Sequence, residues 1–232
     1  MKIAIIPARG GSKRIPRKNV RPFCGNPTMH WPIKAALESG AFDEVIVSTD
    51  DEEIADVARG CGAKVPFRRP TELSTDHSLT LPVIAHAIRW WEENEAPVEL
   101  ACCIYATAVF LRPSYLAAGL ESLRDHPDAE FAFGVTSYAF PIFRALRRHA
   151  DGRVEMFWPE NELVRSQDLP EAWHDAGQFY WGRKAAFLCR QGVFSARSIG
   201  VPIPRSLVQD IDTQEDWDRA EKIFKVSRVF GN

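Results

Sequence analysis

The sequence predicts an α/β protein in which helices flank a mostly parallel, twisted sheet. Short apolar runs alternate along the chain with amphipathic stretches, which is the pattern of successive strand, helix and strand units. The chain has 232 residues, of which 45% are hydrophobic, and this is enough to bury one full core. We therefore predict a single domain over residues 1–232.

The predicted elements follow this alternation from the first residues onward. Residues 3–6 and 44–48 are apolar runs typical of strands. Residues 32–39 carry apolar side chains at helical spacing, with Pro32 suited to the first turn and Gly40 to the end. The remaining predictions are helices over 51–59, 80–94, from Pro113 onward and 214–225, and strands over 63–66, 100–105, 131–136, 178–181 and 198–203.

One segment interrupts the alternation. Residues 141–158 place the Asp151-Gly152 turn between two short runs suited to strands, which predicts a β-hairpin. We expect an excursion from the domain over about residues 141–175, serving as a flap or as a dimerisation element.

Composition and charge argue against several classes of protein. A net charge of −2 and a pI near 6.3 give no general attraction to nucleic acid or to an anionic membrane. No apolar run approaches the roughly 18 residues that span a bilayer, and the chain opens in a strand instead of a signal peptide, so we expect a cytoplasmic protein. The sequence lacks Cys-x-x-Cys, His-Glu-x-x-His and Gly-x-Ser-x-Gly spacing, which argues against zinc sites and hydrolases.

A loop rich in glycine and cations follows the first predicted strand. Gly10, Gly11 and Ser12 allow backbone N–H groups to approach an anion closely. Six of the thirteen residues in the range 9–21 are Lys or Arg, although the spacing is not that of a Walker loop. A solvated basic loop or a nucleic-acid patch is the alternative. The leading glycines and the prolines that fix both ends of the loop favour a phosphate site.

A pair of carboxylates lies near the other end of the chain. In an extended segment Asp210 and Asp212 point to the same side, so they can converge on one hard cation such as Mg²⁺. Asp212 could instead cap the helix that follows, but Thr213 can do the capping and leave both aspartates available.

Polar residues also follow two of the predicted strands, where ligands of open α/β sheets bind. Asp50 and Asp51 follow one strand, and Thr107 follows another. Asp51 is suited to cap the next helix, whereas the role of Asp50 stays open.

A cationic loop and a carboxylate pair together indicate a nucleoside triphosphate with Mg²⁺. The metal links carboxylates to phosphate oxygens, while the cations stabilise charge on departing pyrophosphate. The expected product is a nucleoside monophosphate joined to an acceptor.

Several motifs resemble those of the cytidylyltransferases that activate nonulosonic acids, a family that includes the CMP-sialic acid synthetases. The resemblance covers nearly the whole chain and implies a Rossmann-like nucleotidyltransferase fold. The motifs are Ile6-Pro7-Ala8-Arg9-Gly10-Gly11-Ser12-Lys13-Arg14-Ile15-Pro16-Arg17-Lys18-Asn19, the run 42–50, Arg69-Pro70-x-Glu72-Leu73-Ser74-x-Asp76, Arg165-Ser166-Gln167-Asp168 and Gln209-Asp210-Ile211-Asp212-Thr213.

The resemblance implies roles for individual residues. CTP would bind through Arg9, Gly10, Gly11, Ser12, Lys13, Lys18, Asn19, Arg69, Asp76 and Ser78; Mg²⁺ through Asp210 and Asp212; and the sugar through Tyr105, Thr107, Gln167, Gln178, Phe179 and Tyr180. Arg9, Lys18, Asp210 and Arg165 would act in catalysis. For Arg165 a surface ion pair with Asp168 is the alternative. The resemblance also implies a homodimer whose excursion reaches the partner's site.

Within the family, the segments 102–105, 157–161 and 174–182 resemble members that act on pseudaminic acid more than members that act on sialic acid. The expected reaction is transfer of CMP from CTP to the anomeric hydroxyl of this nine-carbon acid sugar. The alternative acceptors are sialic acid, legionaminic acid and Kdo. Ala106 and Val109 replace prolines of the family pattern, and this loss predicts a less pre-organised Thr107.

Two other functions fit parts of the same pattern. A glycosyltransferase would use Asp50 and Asp51 as its metal site, and it would need a nucleotide-sugar donor. A non-catalytic paralogue, impaired by the changes at Ala106 and Val109, would bind CTP and release no pyrophosphate.

Overall fold

The structure is a computed structural model that describes residues 1–189 and 192–230. Its helices are α1 (His30–Glu38), α2 (Glu52–Gly60), α3 (Thr80–Asn94), α4 (Pro113–Asp125), α5 (Lys184–Cys189) and α6 (Gln214–Phe230). Its strands are β1 (Lys2–Pro7), β2 (Pro22–Phe23), β3 (Asn26–Pro27), β4 (Glu44–Ser48), β5 (Leu100–Ile104), β6 (Phe131–Ser137), β7 (Leu146–Arg148), β8 (Val154–Met156), β9 (Trp173–Arg183) and β10 (Ser198–Pro202). No helix in these two ranges is long and apolar enough to cross a membrane.

The central sheet has six strands in the order β10-β6-β9-β5-β1-β4. Strand β1 pairs in parallel with β4 and β5, and β10 pairs in parallel with β6. Strand β9 is antiparallel to both of its neighbours. The prediction of a mostly parallel sheet is therefore confirmed, and β9 is the strand that runs the other way.

Helices cover both faces of the sheet, and each face has its own apolar cluster. The larger cluster joins α1, α4 and α6 to the sheet, with Trp31, Leu116 and Trp217 buried in it. The smaller cluster buries Ile88 of α3 and Phe187 of α5 against the other face. Strands buried on both sides explain why their sequences are continuous apolar runs.

The predicted element bounds differ from the structure at a few places. The prediction of a strand over residues 63–66 is wrong, because Lys64 makes only an isolated bridge to Ile46 and Arg68 another to Thr49. The predicted hairpin over 141–158 is confirmed as the β7–β8 pair, in which Leu146 faces Met156.

The topology gathers the loops that carry the candidate residues. The strands other than β9 point the same way, so the loops after β1, β4, β5 and β10 leave the sheet at one edge. Because β9 runs in the opposite sense, its first residues lie at this edge as well. This edge is where open α/β sheets bind ligands.

Candidate active site

The loop after β1 is shaped by hydrogen bonds within its own backbone. Val20 and Arg21 donate backbone N–H groups to the Arg17 carbonyl, and Arg17 has a left-handed backbone with φ of 55°. The buried Asn19 side chain donates from Nδ2 to the Arg9 carbonyl at 3.0 Å. These contacts turn the loop back on itself and fix the cations along it.

Asp50 and Asp51 anchor this loop to the end of β4. The Gly10 N–H donates to Asp50 Oδ1 at 3.1 Å. A Cβ at Gly10 would lie 2.6 Å from Asp51 Oδ2, so the close approach of the two loops needs glycine there. Arg17 forms a bidentate pair with Asp51 at 2.6 and 3.0 Å and also contacts Glu53.

The prediction that Asp51 caps α2 is confirmed, because its side chain accepts the Ile54 N–H. Its hydrogen bonds with Arg17 hold the pKa of the Asp51 carboxyl below its usual value. A metal-binding role for Asp50 and Asp51, which a glycosyltransferase would need, is not supported, since both are engaged in holding the loop.

A cavity of about 230 Å³ opens beside the loop, and we call it the first cavity. It is lined by Pro7, Arg9, Ser12, Lys18, Asn19, Arg69, Leu73, Thr75, Ser78, Thr80, Val83, Tyr105, Ala106 and Thr107. It therefore joins many of the residues predicted to bind nucleotide to Tyr105 and Thr107, which were predicted to bind sugar.

Arg69 brings a buried positive charge to the wall of the first cavity. Its side chain is only 4% exposed, and Nη2 lies 3.7 Å from Asp50 Oδ1. Burial lowers the pKa of the Arg69 guanidinium, and its Nε and Nη2 atoms have no hydrogen-bond partner among the described residues. A ligand with acceptor atoms would satisfy these donors.

Asp76 connects the segment that follows the short 3-10 helix Thr71–Leu73 to the loop after β1. Arg9 Nη1 lies 2.6 Å from Asp76 Oδ1, and Lys13 Nζ lies 2.5 Å from Oδ2. These two cations, Lys13 first, lower the pKa of Asp76. Ser78 supports the same segment by accepting the Thr75 N–H at 3.0 Å. Asp76 thus holds the cations in place and is not itself a lining residue of the first cavity.

Lys18 links the loop to the late aspartates. Its Nζ donates to the Ile211 carbonyl at 2.7 Å and lies 3.3 Å from Asp212 Oδ1. Arg14 Nη1 lies 2.8 Å from Asp212 Oδ2. Because Lys18 also lines the first cavity, the two ends of the chain meet at one site, as the sequence predicted.

Asp210 reaches solvent, yet the pKa of its carboxyl group is raised. Desolvation of its carboxyl and then the negative charge of Asp212 raise its pKa, while Lys18 lowers it. Thr213 caps α6, since its Oγ1 accepts the Asp216 N–H at 3.2 Å. Asp216 in turn accepts the Thr213 N–H at 2.8 Å. Capping therefore does not engage the side chains of Asp210 or Asp212.

Across the described ranges, no group of three or more His, Cys, Asp or Glu residues could hold a metal ion. The Asp210 and Asp212 pair offers carboxylate oxygens, and both of those on Asp212 are in ion pairs with Lys18 and Arg14. Such a pair suits a metal whose other ligands come from phosphate and water, which is the usual pattern for Mg²⁺.

The turn after β5 is well ordered by hydrogen bonds despite its lack of prolines. The Ala108 N–H donates to the Tyr105 carbonyl at 3.0 Å, and the Val109 N–H donates to the Thr107 carbonyl at 2.8 Å. A proline at 109 could not make the second bond. The predicted loosening of Thr107 is therefore offset by a contact that only a non-proline residue provides.

A second cavity of about 300 Å³ adjoins the first. It is lined by Leu79, Thr80, Leu81, Cys103, Tyr105, Asp175, Tyr180, Phe187, Gly192, Val193 and Phe194. Tyr180 is thus placed beside a cavity, in agreement with its predicted sugar-side position. Asp175 was missed as a site residue by the sequence reasoning.

Three of the predicted sugar-side residues, Gln167, Gln178 and Phe179, line neither cavity. Phe179 is fully buried between Gly119 of α4 and Gly134 of β6, so its position supports a packing role and not a substrate contact. Gln178 is buried and donates from Nε2 to the Leu207 carbonyl at 2.6 Å. It connects β9 to the segment that leads into Asp210.

Arg165 and Gln167 lie in the excursion, away from the lining of both cavities. Arg165 forms a bidentate pair with Asp168 at 2.7 and 3.1 Å on an exposed surface. The surface ion pair foreseen as the alternative is therefore present, and a catalytic role for Arg165 stays a prediction.

A sheet edge that gathers a phosphate-type loop and a buried guanidinium around one cavity, with a carboxylate pair joined to the same loop through Lys18, is typical of nucleotidyltransferases, and the chain is an enzyme of this class. More closely, the chain belongs to the cytidylyltransferase family, which it matches over residues 3–228.

Relatives of the chain include pseudaminic acid cytidylyltransferases and N-acylneuraminate cytidylyltransferases. A pseudaminic acid cytidylyltransferase from Campylobacter jejuni is 42% identical over 225 residues, covering 97% of this chain and 97% of that protein. A longer protein from Helicobacter pylori, named for this activity and for a hydrolase activity, is 32% identical over 90% of this chain and 40% of its own length.

Solved structures support the predicted fold. The chain resembles a CMP:2-keto-3-deoxy-manno-octonic acid synthetase complexed with CTP, with a TM-score of 0.71, 16% identity and coverage of 97% of this chain and 99% of that one. A 4-diphosphocytidyl-2C-methyl-D-erythritol synthase from Anaerococcus prevotii gives a TM-score of 0.65 at 13% identity, covering 97% and 96% of the two chains. The predicted Rossmann-like nucleotidyltransferase fold is thereby confirmed.

Proposed function

We propose that the protein transfers CMP from CTP to the anomeric hydroxyl of pseudaminic acid and releases pyrophosphate. The observation that carries the proposal is the contact of Lys18 with the Ile211 carbonyl and with Asp212, at the edge of a cavity that is long enough to reach Thr107. The names of the Campylobacter jejuni relatives support this choice of acceptor.

In this proposal the loop after β1 binds the triphosphate. Gly11 offers a backbone N–H group and Ser12 a hydroxyl, whereas the N–H groups of Gly10 and Ser12 donate to Asp50 and to the Gly10 carbonyl. Arg9, Lys13, Lys18 and Asn19 line or flank the same space. Arg9 and Lys13, which Asp76 holds in place, would contact phosphate oxygens with their remaining N–H groups. Lys18 is 19% exposed in its side chain, so its charge acts where little water screens it.

Cytosine would lie in the first cavity against Arg69 and Ser78. The unpartnered Nε and Nη2 atoms of Arg69 are suited to the acceptor atoms of the base. Asp76 would contribute by holding this segment close to the loop.

Asp210 and Asp212 fit Mg²⁺ in this proposal, because they are hard oxygen donors two residues apart; desolvation and then the negative charge of Asp212 raise the Asp210 pKa. When bound, Mg²⁺ would neutralise charge on the phosphates. Asp210 would also accept the proton of the attacking sugar hydroxyl.

We further propose a homodimer built on the excursion. Large apolar side chains on this segment are exposed, and they are Tyr138, Phe140, Leu146, Val154, Phe157, Leu163 and Trp173. Monomers rarely expose so many together. In a dimer, Arg165 and Gln167 would approach the sugar from the excursion. The reaction would take place in the cytoplasm, where CTP is made.

The test measures pyrophosphate release with CTP and Mg²⁺ and one of four acids: pseudaminic, sialic, legionaminic or Kdo. We expect the largest kcat/KM with pseudaminic acid. A larger value with another acid would reassign the acceptor. CTP binding without pyrophosphate release for any acid would contradict the proposal and favour the non-catalytic alternative.

A further inference from the structure

The two cavities adjoin each other and differ in character. They share Thr80 and Tyr105 in their linings. The first cavity contains the cationic groups of Arg9, Lys18 and Arg69. The second cavity is lined mainly by apolar side chains, and Leu79 and Phe194 at its lining are each 70% exposed.

Asp175 is the only charged residue among the described residues that line the second cavity. Its Oδ2 accepts the Tyr180 hydroxyl at 2.5 Å, and its Oδ1 accepts the Gly177 N–H at 3.0 Å. Each carboxylate oxygen can accept a further bond. The half-buried carboxylate can therefore accept a donor from a molecule in the cavity.

An irregularity in β9 creates this arrangement. Residues five apart in a regular strand point to opposite faces and lie roughly 16 Å apart. The pairing with β6 shifts between Phe133, opposite Tyr180, and Val135, opposite Asp175. The extra residues of β9 are accommodated by Gly177, whose φ is 62°. The strand is thus bent so that Asp175 and Tyr180 meet beside the cavity.

The charges decide how an acid sugar can lie across this space. The carboxylate of the sugar is attracted by the cations of the first cavity and repelled by Asp175 in the second. The anomeric carbon carries that carboxylate, so it too would face the nucleotide. The opposite end of the sugar would then enter the second cavity.

We propose that the second cavity binds the acylamino, hydroxyl-poor end of the acceptor and that Asp175 is a specificity-determining residue, its carboxylate accepting an amide N–H. This inference rests on the proposed function and defines the class of acid that the site selects. Methyl groups of acetamido substituents and of a deoxy chain end pack against Leu81, Phe187 and Phe194.

A polyhydroxylated chain end fits the same space poorly. Its several hydroxyl groups would lose water, and apart from Thr80, Tyr105, Asp175 and Tyr180 the side chains of the lining offer no hydrogen bonds to them, which is unfavourable for each group left unpaired. Discrimination against such acids follows from these unpaired groups. Tyr180 is a positioning residue here, since its hydroxyl orients Asp175.

The test compares the wild-type protein with Asp175→Asn at saturating CTP, using pseudaminic acid and Kdo, which has no acylamino group. A hydrogen bond to a charged group lost from the complex lowers kcat/KM for pseudaminic acid by roughly 10-fold to 100-fold. We expect the value for Kdo to change by less than about twofold and the KM for CTP to stay constant, so that selectivity collapses. Asp125→Asn, at the exposed end of α4, is the matched control and should behave as wild type.

A measurement independent of turnover uses saturation-transfer NMR on the wild-type protein with CDP in place of CTP. The inference requires the strongest transfer to the acyl methyl protons of pseudaminic acid. Strongest transfer to protons beside the anomeric carbon, or equal loss of kcat/KM for both acids in Asp175→Asn, would overturn it. Absence of pyrophosphate release with acyl-methyl transfer intact would instead refute the proposed function alone.

Discussion

Asp50→Asn tests whether one carboxylate holds together both halves of the candidate nucleotide site. Asn keeps an acceptor for the Gly10 N–H and removes only the charge that faces Arg69. At the 3.7 Å separation of Asp50 Oδ1 from Arg69 Nη2, the attraction is about 4.5 kcal/mol for an effective dielectric constant of about 20. Asp50 is partly exposed, so we expect a net loss of about 2 kcal/mol in the free energy of unfolding.

Urea unfolding followed by tryptophan fluorescence measures this loss, and thermal unfolding should show a decrease of roughly 4–8 °C in Tm. The double variant Asp50→Asn, Arg69→Met should recover part of the stability, because it removes the buried cation that the single variant leaves without a counter-charge. If the single variant unfolds at the same urea concentration as the wild type, Asp50 does not stabilise Arg69 and the reasoning fails.

The affinity of Asp50→Asn for CTP separates two roles of Asp50. Asp50 either positions the loop and Arg69, or it acts only as a nearby negative charge. Removing a negative charge near the loop would by itself tighten binding of an anionic nucleotide. We expect weaker binding of CTP, by about tenfold, because the loop and Arg69 lose the group that positions both. Tighter binding in calorimetry would mean that Asp50 acts only as a charge.

Three further variants test other contacts. Asp210→Asn should abolish CMP transfer and yet raise Tm at neutral pH, because the raised pKa of Asp210 means that folding disfavours its carboxylate. The difference in stability between variant and wild type should shrink as the pH falls through the pKa of the folded protein and vanish below about pH 4. A variant less stable than the wild type at neutral pH would contradict this sign. Thr213→Ala should lower the free energy of unfolding by about 1 kcal/mol through loss of the α6 cap, with urea unfolding as the measurement and an unchanged midpoint as the contrary result. Gly177→Ala should lower the free energy of unfolding by about 1 kcal/mol, because the added Cβ meets no atom within 4 Å and the positive φ is the only source of strain. The KM of this variant for the acid sugar should rise. A change confined to CTP binding would contradict the placement of Asp175.

Elements with a clear local signal were predictable from the sequence. The helix predicted over 80–94 has the observed bounds of α3, because its apolar residues recur at helical spacing without interruption. The cap at Thr213 follows from local side-chain chemistry. The meeting of Lys18 with the aspartate segment was predictable because phosphate and metal chemistry require it.

The rest depended on tertiary contacts that no local pattern carries. Residues 63–66 have the pattern of a strand, but they pair with β4 only through the isolated bridge of Lys64 to Ile46. The strand β9 was predicted over four residues because Gly177 breaks its alternation, although both of its ends pair with β6. For the same reason the contact of Asp175 with Tyr180 could not be foreseen, since regular strand spacing would separate them.

The excursion leaves and re-enters the sheet at adjacent points, because Ser137 of β6 pairs with Trp173 of β9 and the Tyr138 N–H donates to the Ala172 carbonyl. Residues 138–172 therefore form one long connection between the antiparallel strands β6 and β9. Insertions, deletions or wholesale exchange of this connection leave the strand order untouched. Because the end of β6 and the start of β9 lie at the same edge of the sheet as the site, an exchanged excursion could change how such enzymes assemble while the loops after β1, β4 and β5 stay in place. A short reverse turn grafted between Ser137 and Trp173 should yield a folded core for engineering.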